Sequence, residues 1–133
     1  MKKDIDFSPV TGVKLAIVKE EKSNGTQWAV YIINLNLIEL NTVMITSKGY
    51  GEIAGEKRQT STLRHLIKEL GAESVAKIEP IDPVVFALTN EFWVSYYIVD
   101  QIFDKKFIFT PGSFDPVNLR LIPELGLVGI LHG

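Results

Sequence analysis

Two stretches of this chain alternate with a period of two yet are apolar on both faces, and that limits the folds open to it. In QWAVYIINLNLIEL, Gln27 to Leu40, one face carries Trp28, Val30 and Ile32 and the other Ala29, Tyr31, Ile33 and Leu35. In EFWVSYYIV, Glu91 to Val99, the residues Phe92, Val94, Tyr96 and Ile98 oppose Trp93, Ser95, Tyr97 and Val99. Period-two alternation marks strands, and a strand that is apolar on both sides has to be covered on both sides.

The chain offers enough core for this. Its 133 residues fit one domain, 1–133, with 46% apolar residues, and a domain of that length buries roughly two-thirds of the surface its unfolded chain exposes. The absence of cysteine excludes a disulfide framework, thiolate chemistry and zinc–sulfur sites, and fits a cytoplasmic location. The N-terminal MKKDIDFSPVTG has lysines without an apolar run behind them, so no secretory leader is expected. Nowhere do the ~20 apolar residues of a membrane helix occur, so no membrane partner is expected. A net charge of −2 argues for no polyanionic partner on its own.

Turn and breaker residues divide the rest. Val13 to Lys22 reads as a strand, and Ser23-Asn24-Gly25-Thr26 as a hairpin turn, because Asn-Gly tolerates positive φ. Thr42 to Ser47 is a short third strand. Val75 to Ile81, Glu91 to Val99, Ile102 to Thr110 and Asn118 to Ile122 supply further strands, with a turn or short helical piece over Val84 to Leu88 and a tight turn at Asp100-Gln101. Pro123, Gly126 and Gly129 break the tail, which reads as a segment packed on the body.

Between the two groups of strands lies SKGYGEIAGEKRQTSTLRHLIKELG, Ser47 to Gly71. Leu63, Leu66, Ile67 and Leu70 recur at helical spacing. Thr60, Ser61 or Thr62 can cap that helix and Gly71 can close it. The expected fold is therefore α+β: an antiparallel sheet of about six to seven strands in two meanders, βββ-α-βββ, or a partly closed barrel, with one short helix packed on a face.

The same stretch is the locally basic part of the chain. From Ser47 to Lys68 five cations meet two acids, a local charge of +3, leaving −5 on the remainder. Its glycines invite comparison with phosphate cradles, but the match fails. Only three residues separate Gly51 from Gly55, Glu56 precedes Lys57, and no β-α-β order surrounds them. What survives is an anion- or partner-binding patch of Lys57, Arg58, Thr60, Ser61 and Arg64; the plainer reading is that the hydroxyls cap a helix and the cations are solvated.

Other chemistry is sparse. His65 and Glu69 at i, i+4 lack a third metal ligand, and His132 is read as solvated near the chain end. Ser113 lacks a nucleophile elbow. No metal, cofactor or catalytic residue is expected. The aromatic alternation of Glu91 to Val99 serves a core or a dimer seam more readily than base stacking, since Glu91, Asp100 and Asp104 stand among the rings, and nucleic acid is disfavoured. Apolar strands left uncovered by one short helix call for the tail, barrel closure or a second copy as cover, and a homodimer is favoured.

The runs GEKRQTSTLRHLIKEL and TNEFWVSYYIVDQIFDKKFIFTPGS resemble a set of small uncharacterised bacterial proteins, some labelled as like the phenylalanyl-tRNA synthetase β subunit. The resemblance covers most of the chain and assigns no residue a role. At most it implies an accessory β-rich module. The leading expectation is a non-catalytic binding or interaction protein contacting an anionic partner through residues 47–68. The alternatives are a small-ligand or phosphate-handling enzyme using that loop with His65 as acid–base, and a tRNA- or RNA-associated accessory module.

Overall fold

The computed structural model describes residues 11–133, so the N-terminal leader expectation lies largely outside the described residues. The first hairpin forms as its sequence demands, from β1 (Val13–Lys22) and β2 (Gly25–Asn34). Lys22 pairs with Gly25, so the two loop residues are Ser23 and Asn24, and the positive φ, +120°, falls on Gly25 alone. Then follow β3 (Leu40–Ile53), β4 (Glu56–Gln59), β5 (Leu63–Leu70), β6 (Ser74–Ile81), β7 (Thr89–Ile98), β8 (Gln101–Phe109), β9 (Arg120–Ile122) and β10 (Leu127–His132). Short 3-10 turns occupy Pro83–Ala87, Pro111–Phe114 and Pro116–Asn118.

The strands make two open antiparallel sheets. The first runs β6-β2-β1-β10-β9; the second runs β4-β3-β7-β8, with β5 also paired to β3. Their inner faces share one core, in which Leu15, Ile17, Val30 and Ile32 meet Ile45, Phe92, Val94, Tyr96 and Phe107. Each such side chain contributes about 1.5–3 kcal/mol by leaving water.

The architecture is thus mostly β, not α+β, and the sheets do not close into a barrel. The expected helix over residues 61–70 is strand β5. Pairing places Leu66 opposite Met44 and Ile67 opposite Val43. Ile67 and Leu70 therefore face the core, while Leu63 and Leu66 stand 46% and 64% exposed. A helix this short is marginal alone, whereas β3 offers a long row of unpaired backbone groups that a neighbouring strand satisfies. Thr60 to Thr62 cap no helix, and Gly71 sits in the β5–β6 turn. That turn carries the chain from the edge of the second sheet to the edge of the first.

The tail is also more regular than its breakers suggest. Strand β10 inserts between β1 and β9, with Gly129 opposite Val18. A Cβ on Gly129 would collide with the Ile17 carbonyl oxygen and sit 2.7 Å from Val18 Cα, so this glycine permits the pairing instead of breaking it. The β9–β10 turn covers part of the outer face of the first sheet, where its Leu125 and the first residue of β10, Leu127, pack on Ala16, Val18, Ile33 and Ile122.

Candidate functional site

Strands β5 and β6 are the neighbouring edges of opposite sheets, and a cleft of about 190 Å³ opens near them. Ser47 on β3 points inward, following Val43 and Ile45 on the core side of its strand. His65 on β5 lies opposite Ile45 and faces the same way. Glu79 comes from β6, opposite Val30. The register shift at Val30/Tyr31 sets this geometry. Alternation counted from Ala76, which packs on the core opposite Ile32, would send Glu79 outward; the bulge inserts a residue and turns it in.

The three side chains converge on one oxygen. Ser47 Oγ donates to Glu79 Oε1 at 3.0 Å, and His65 Nε2 lies 2.6 Å from that same atom. An ionised carboxylate only accepts, so Nε2 carries the proton of this contact. Ser47 and Glu79 are buried, and the His65 side chain is 29% exposed. The second oxygen, Oε2, receives no hydrogen bond among the described residues.

The remaining walls are mostly committed to structure. Asp82 caps the Pro83–Ala87 turn by accepting from the Val84 amide at 3.0 Å. Asn90 Nδ2 donates to the carbonyls of Val85 at 2.9 Å and Leu88 at 3.2 Å. Thr60 Oγ1 accepts from the Gly49 amide at 2.7 Å and donates to the Ser61 carbonyl at 2.9 Å, tying the β4–β5 link to β3. Phe92, Val85 and Leu63 supply the apolar wall.

This arrangement can accept hydrogen bonds from a ligand, and it carries two carboxylates, Glu79 and Asp82. It is poorly arranged for nucleophilic catalysis. The hydroxyl of Ser47 donates to the carboxylate and not to the imidazole, and both compete for one oxygen, whereas a triad strings them in series.

The structure divides the five residues expected to bind an anion or partner: two line this cleft, Lys57 and Arg58 line a separate shallow recess with Tyr50, Glu52 and Gln59, and Arg64 lies in neither. Thr60 and Ser61 line the cleft. Lys57 and Arg58 sit exposed on β4, with the Arg58 guanidinium 3.3 Å from Glu56. Arg64 is opposite Thr46 on the outer face of the second sheet. Gly49 and Gly51 belong to β3 and Gly55 to the β3–β4 turn, with no helix N-terminus behind them. His65 and Glu69 share no metal, since four residues of strand span about 13 Å; among the described residues no group of three metal-ligating side chains occurs. His132 is half-buried. Its ring packs 5.3 Å from Phe107 and 5.5 Å from Phe109, and burial, aided by the charge of Lys105, holds its pKa below the usual histidine range.

Sequence reasoning missed Ser47, Glu79 and Asp82. A glutamate between Ile78 and Pro80 in an apolar strand was the available signal, but the bulge made its direction unreadable. Comparison with protein-family models, curated proteins and solved structures found no match. Among the described residues no helix is long and apolar enough to cross a membrane.

Proposed function

We propose that the chain is a non-catalytic, cytoplasmic binding protein whose site is the cleft between the edges of its two sheets. Its ligand is compact and presents hydrogen-bond donors or positive charge to Glu79. The observation that carries this reading is the Glu79 carboxylate, buried, fixed through Oε1 by Ser47 and His65, and left with Oε2 for a guest. The cleft, about 190 Å³, falls below the roughly 300 Å³ at which drug-sized pockets begin, which suits a small polar group.

An anionic guest in the cleft is disfavoured by Glu79 and Asp82. The one cation on the wall, Lys48, directs its ammonium to Glu91, 3.8 Å away. A contact between Lys57, Arg58 or Arg64 and an anionic partner would take place outside the cleft.

Amide chemical shifts during separate titrations with ethylammonium, N-methylguanidinium and inorganic phosphate test the proposal. Either cation should perturb Ser47, Ser61, Glu79 and Asn90, and the Glu79→Gln variant should lose the response. Perturbation of residues 56–64 by phosphate, with none by the cations, overturns it.

A further inference from the structure

The two sheets differ in what lies on their outer faces. That of the first is covered in part by Leu125 of the β9–β10 turn, with Leu131 and Val75 left 41% and 38% exposed. The second sheet's outer face is open, although its central positions are apolar. Pairing across β5, β3, β7 and β8 sets Leu66 beside Met44 and Ser95, and Thr46 beside Trp93 and Lys106. Met44 is 51% exposed, Leu66 64% and Trp93 49%, with Tyr97 and Ile108 also exposed. A trough of about 270 Å³ runs between Met44, Thr46, Trp93, Ser95, Ile102 and Asp104.

We propose that a second copy of this chain covers this face, making an isologous homodimer. Three features select that occupant. First, the face carries residues enriched at interfaces, Trp93, Met44, Leu66 and Tyr97, exposed beside Lys106 and Asp104. Second, the area suffices. The five exposed apolar side chains present on the order of 100 Å² each, and with the charged rim the face approaches the ~800 Å² per partner of a standard interface. Third, its charge is self-complementary. Lys48, Arg64 and Lys106 share it with Asp104; Glu91 is only 9% exposed and already lies 3.8 Å from both the Lys106 and Lys48 ammoniums, so Asp104 is the acid that the cations of a second copy can meet. A copy of the same face can match both signs. A polyanion would meet Glu91 and Asp104 among the stacking rings, and Asp104 Oδ2 is fixed there by the Trp93 indole at 2.8 Å.

The trough and the Trp93 ring lie side by side, so in a two-fold assembly each copy offers a projection and a recess to the other. Burial of the face also answers the requirement set by strands that are apolar on both sides.

Sedimentation velocity on the full chain from micromolar to submillimolar concentration tests this, and each copy weighs 14.9 kDa. The expected result is a concentration-dependent dimer. Met44→Arg and Leu66→Arg should each raise its dissociation constant by about tenfold or more, with far-UV circular dichroism preserved and, at concentrations low enough that parent and variants are all monomeric, the urea midpoint preserved as well. Val84→Arg, on the exposed Pro83–Ala87 turn, should leave it unchanged. A monomer throughout the range overturns the proposal, as does a dimer indifferent to both face variants. A monomer that instead binds oligo-dT with affinity falling steeply in salt reassigns the face to single-stranded nucleic acid.

Discussion

His65 of β5 and Glu79 of β6 meet across the seam where the two sheets part, with Nε2 2.6 Å from Oε1. The contact links strands that do not pair with each other, and Ser47 of a third strand donates to the same oxygen at 3.0 Å. It therefore fixes the spacing of the cleft as well as supplying its acceptor.

Removing that acceptor should be costly because of what it strands. In Glu79→Ala the Ser47 hydroxyl, 5% exposed, loses its partner while remaining out of water. The expected loss is about 2 kcal/mol, against about 1 kcal/mol for Ser47→Ala, which leaves Glu79 its histidine. The double variant should fall short of the sum, since the stranded hydroxyl is gone. A urea-denaturation double-mutant cycle reads this coupling; strict additivity would show that Ser47 and Glu79 do not share the bond.

Glycines in the tail should divide sharply by position. Gly129→Ala drives a Cβ into the backbone of β1, at Ile17 and Val18, where no side chain can swing aside. A cost of about 3 kcal/mol or more is expected, with accelerated amide exchange along β1 and β10. Gly112→Ala meets nothing within 4 Å and should change stability by less than about 1 kcal/mol in either direction.

These two cases show what was legible in the sequence. Alternation located β1, β7 and β8, and Pro83 marked the short turn that follows it, because each rests on local contacts. Alternation also required cover on both sides of the strands, and Leu125 of the β9–β10 turn supplies part of that for the first sheet. The helix over residues 61–70 was a false reading of spacing. Leucines at i, i+3 and i+7 also occur on an edge strand, and the decision came from the distant backbone of β3. Gly129 reads as a breaker until β1 lies against it. Glu79 escaped because one inserted residue reverses the direction of everything after it, and no periodicity records a bulge.

Glu20, Tyr31 and Lys77 give the stability a measurable pH dependence at both extremes. Tyr31 Oη donates to Glu20 Oε2 at 2.6 Å and Lys77 Nζ to Oε1 at 2.9 Å. The Tyr31 bond first, then that of Lys77, holds the Glu20 carboxyl below its usual range. The Glu20 contribution is complete above the unfolded carboxyl pKa and is lost as pH falls through the lower folded value. The same bond to Glu20, with burial, pushes Tyr31 up to about 12. Its contribution is complete below the unfolded phenol pKa near 10 and disappears as pH rises from there to about 12. Tyr31→Phe should cost about 2 kcal/mol at neutral pH and flatten both limbs of the stability–pH curve. Tyr96, pushed up to about 12 by burial, would preserve part of the alkaline limb. Unfolding midpoints across the pH range check the prediction, and unchanged limbs in the variant would exclude it.

Asn34 should be the polar residue least open to charge substitution. It is fully buried at the end of β2, and its Nδ2 donates to the carbonyls of Ile38 at 3.0 Å, Gly71 at 2.9 Å and Leu70 at 3.4 Å. Its Oδ1 accepts from the amide and the side chain of Asn36, both at 3.0 Å. One side chain thus clamps the loop leading to β3 and the turn where the chain changes sheets. Asn34→Asp keeps the shape but replaces the donor with a second acceptor, aimed at carbonyl oxygens. The ionised form is then disfavoured in the folded protein, so the new carboxyl titrates above its unfolded value. Its penalty is small at low pH, where a protonated carboxyl donates again, and grows as pH rises through the unfolded and then the folded pKa. The variant should therefore lose stability between acid and neutral pH relative to the parent protein, by about 2 kcal/mol or more. Chemical denaturation of both proteins at acid and neutral pH measures that difference, and a penalty independent of pH would mean that Asn34 fills space without supplying the donor.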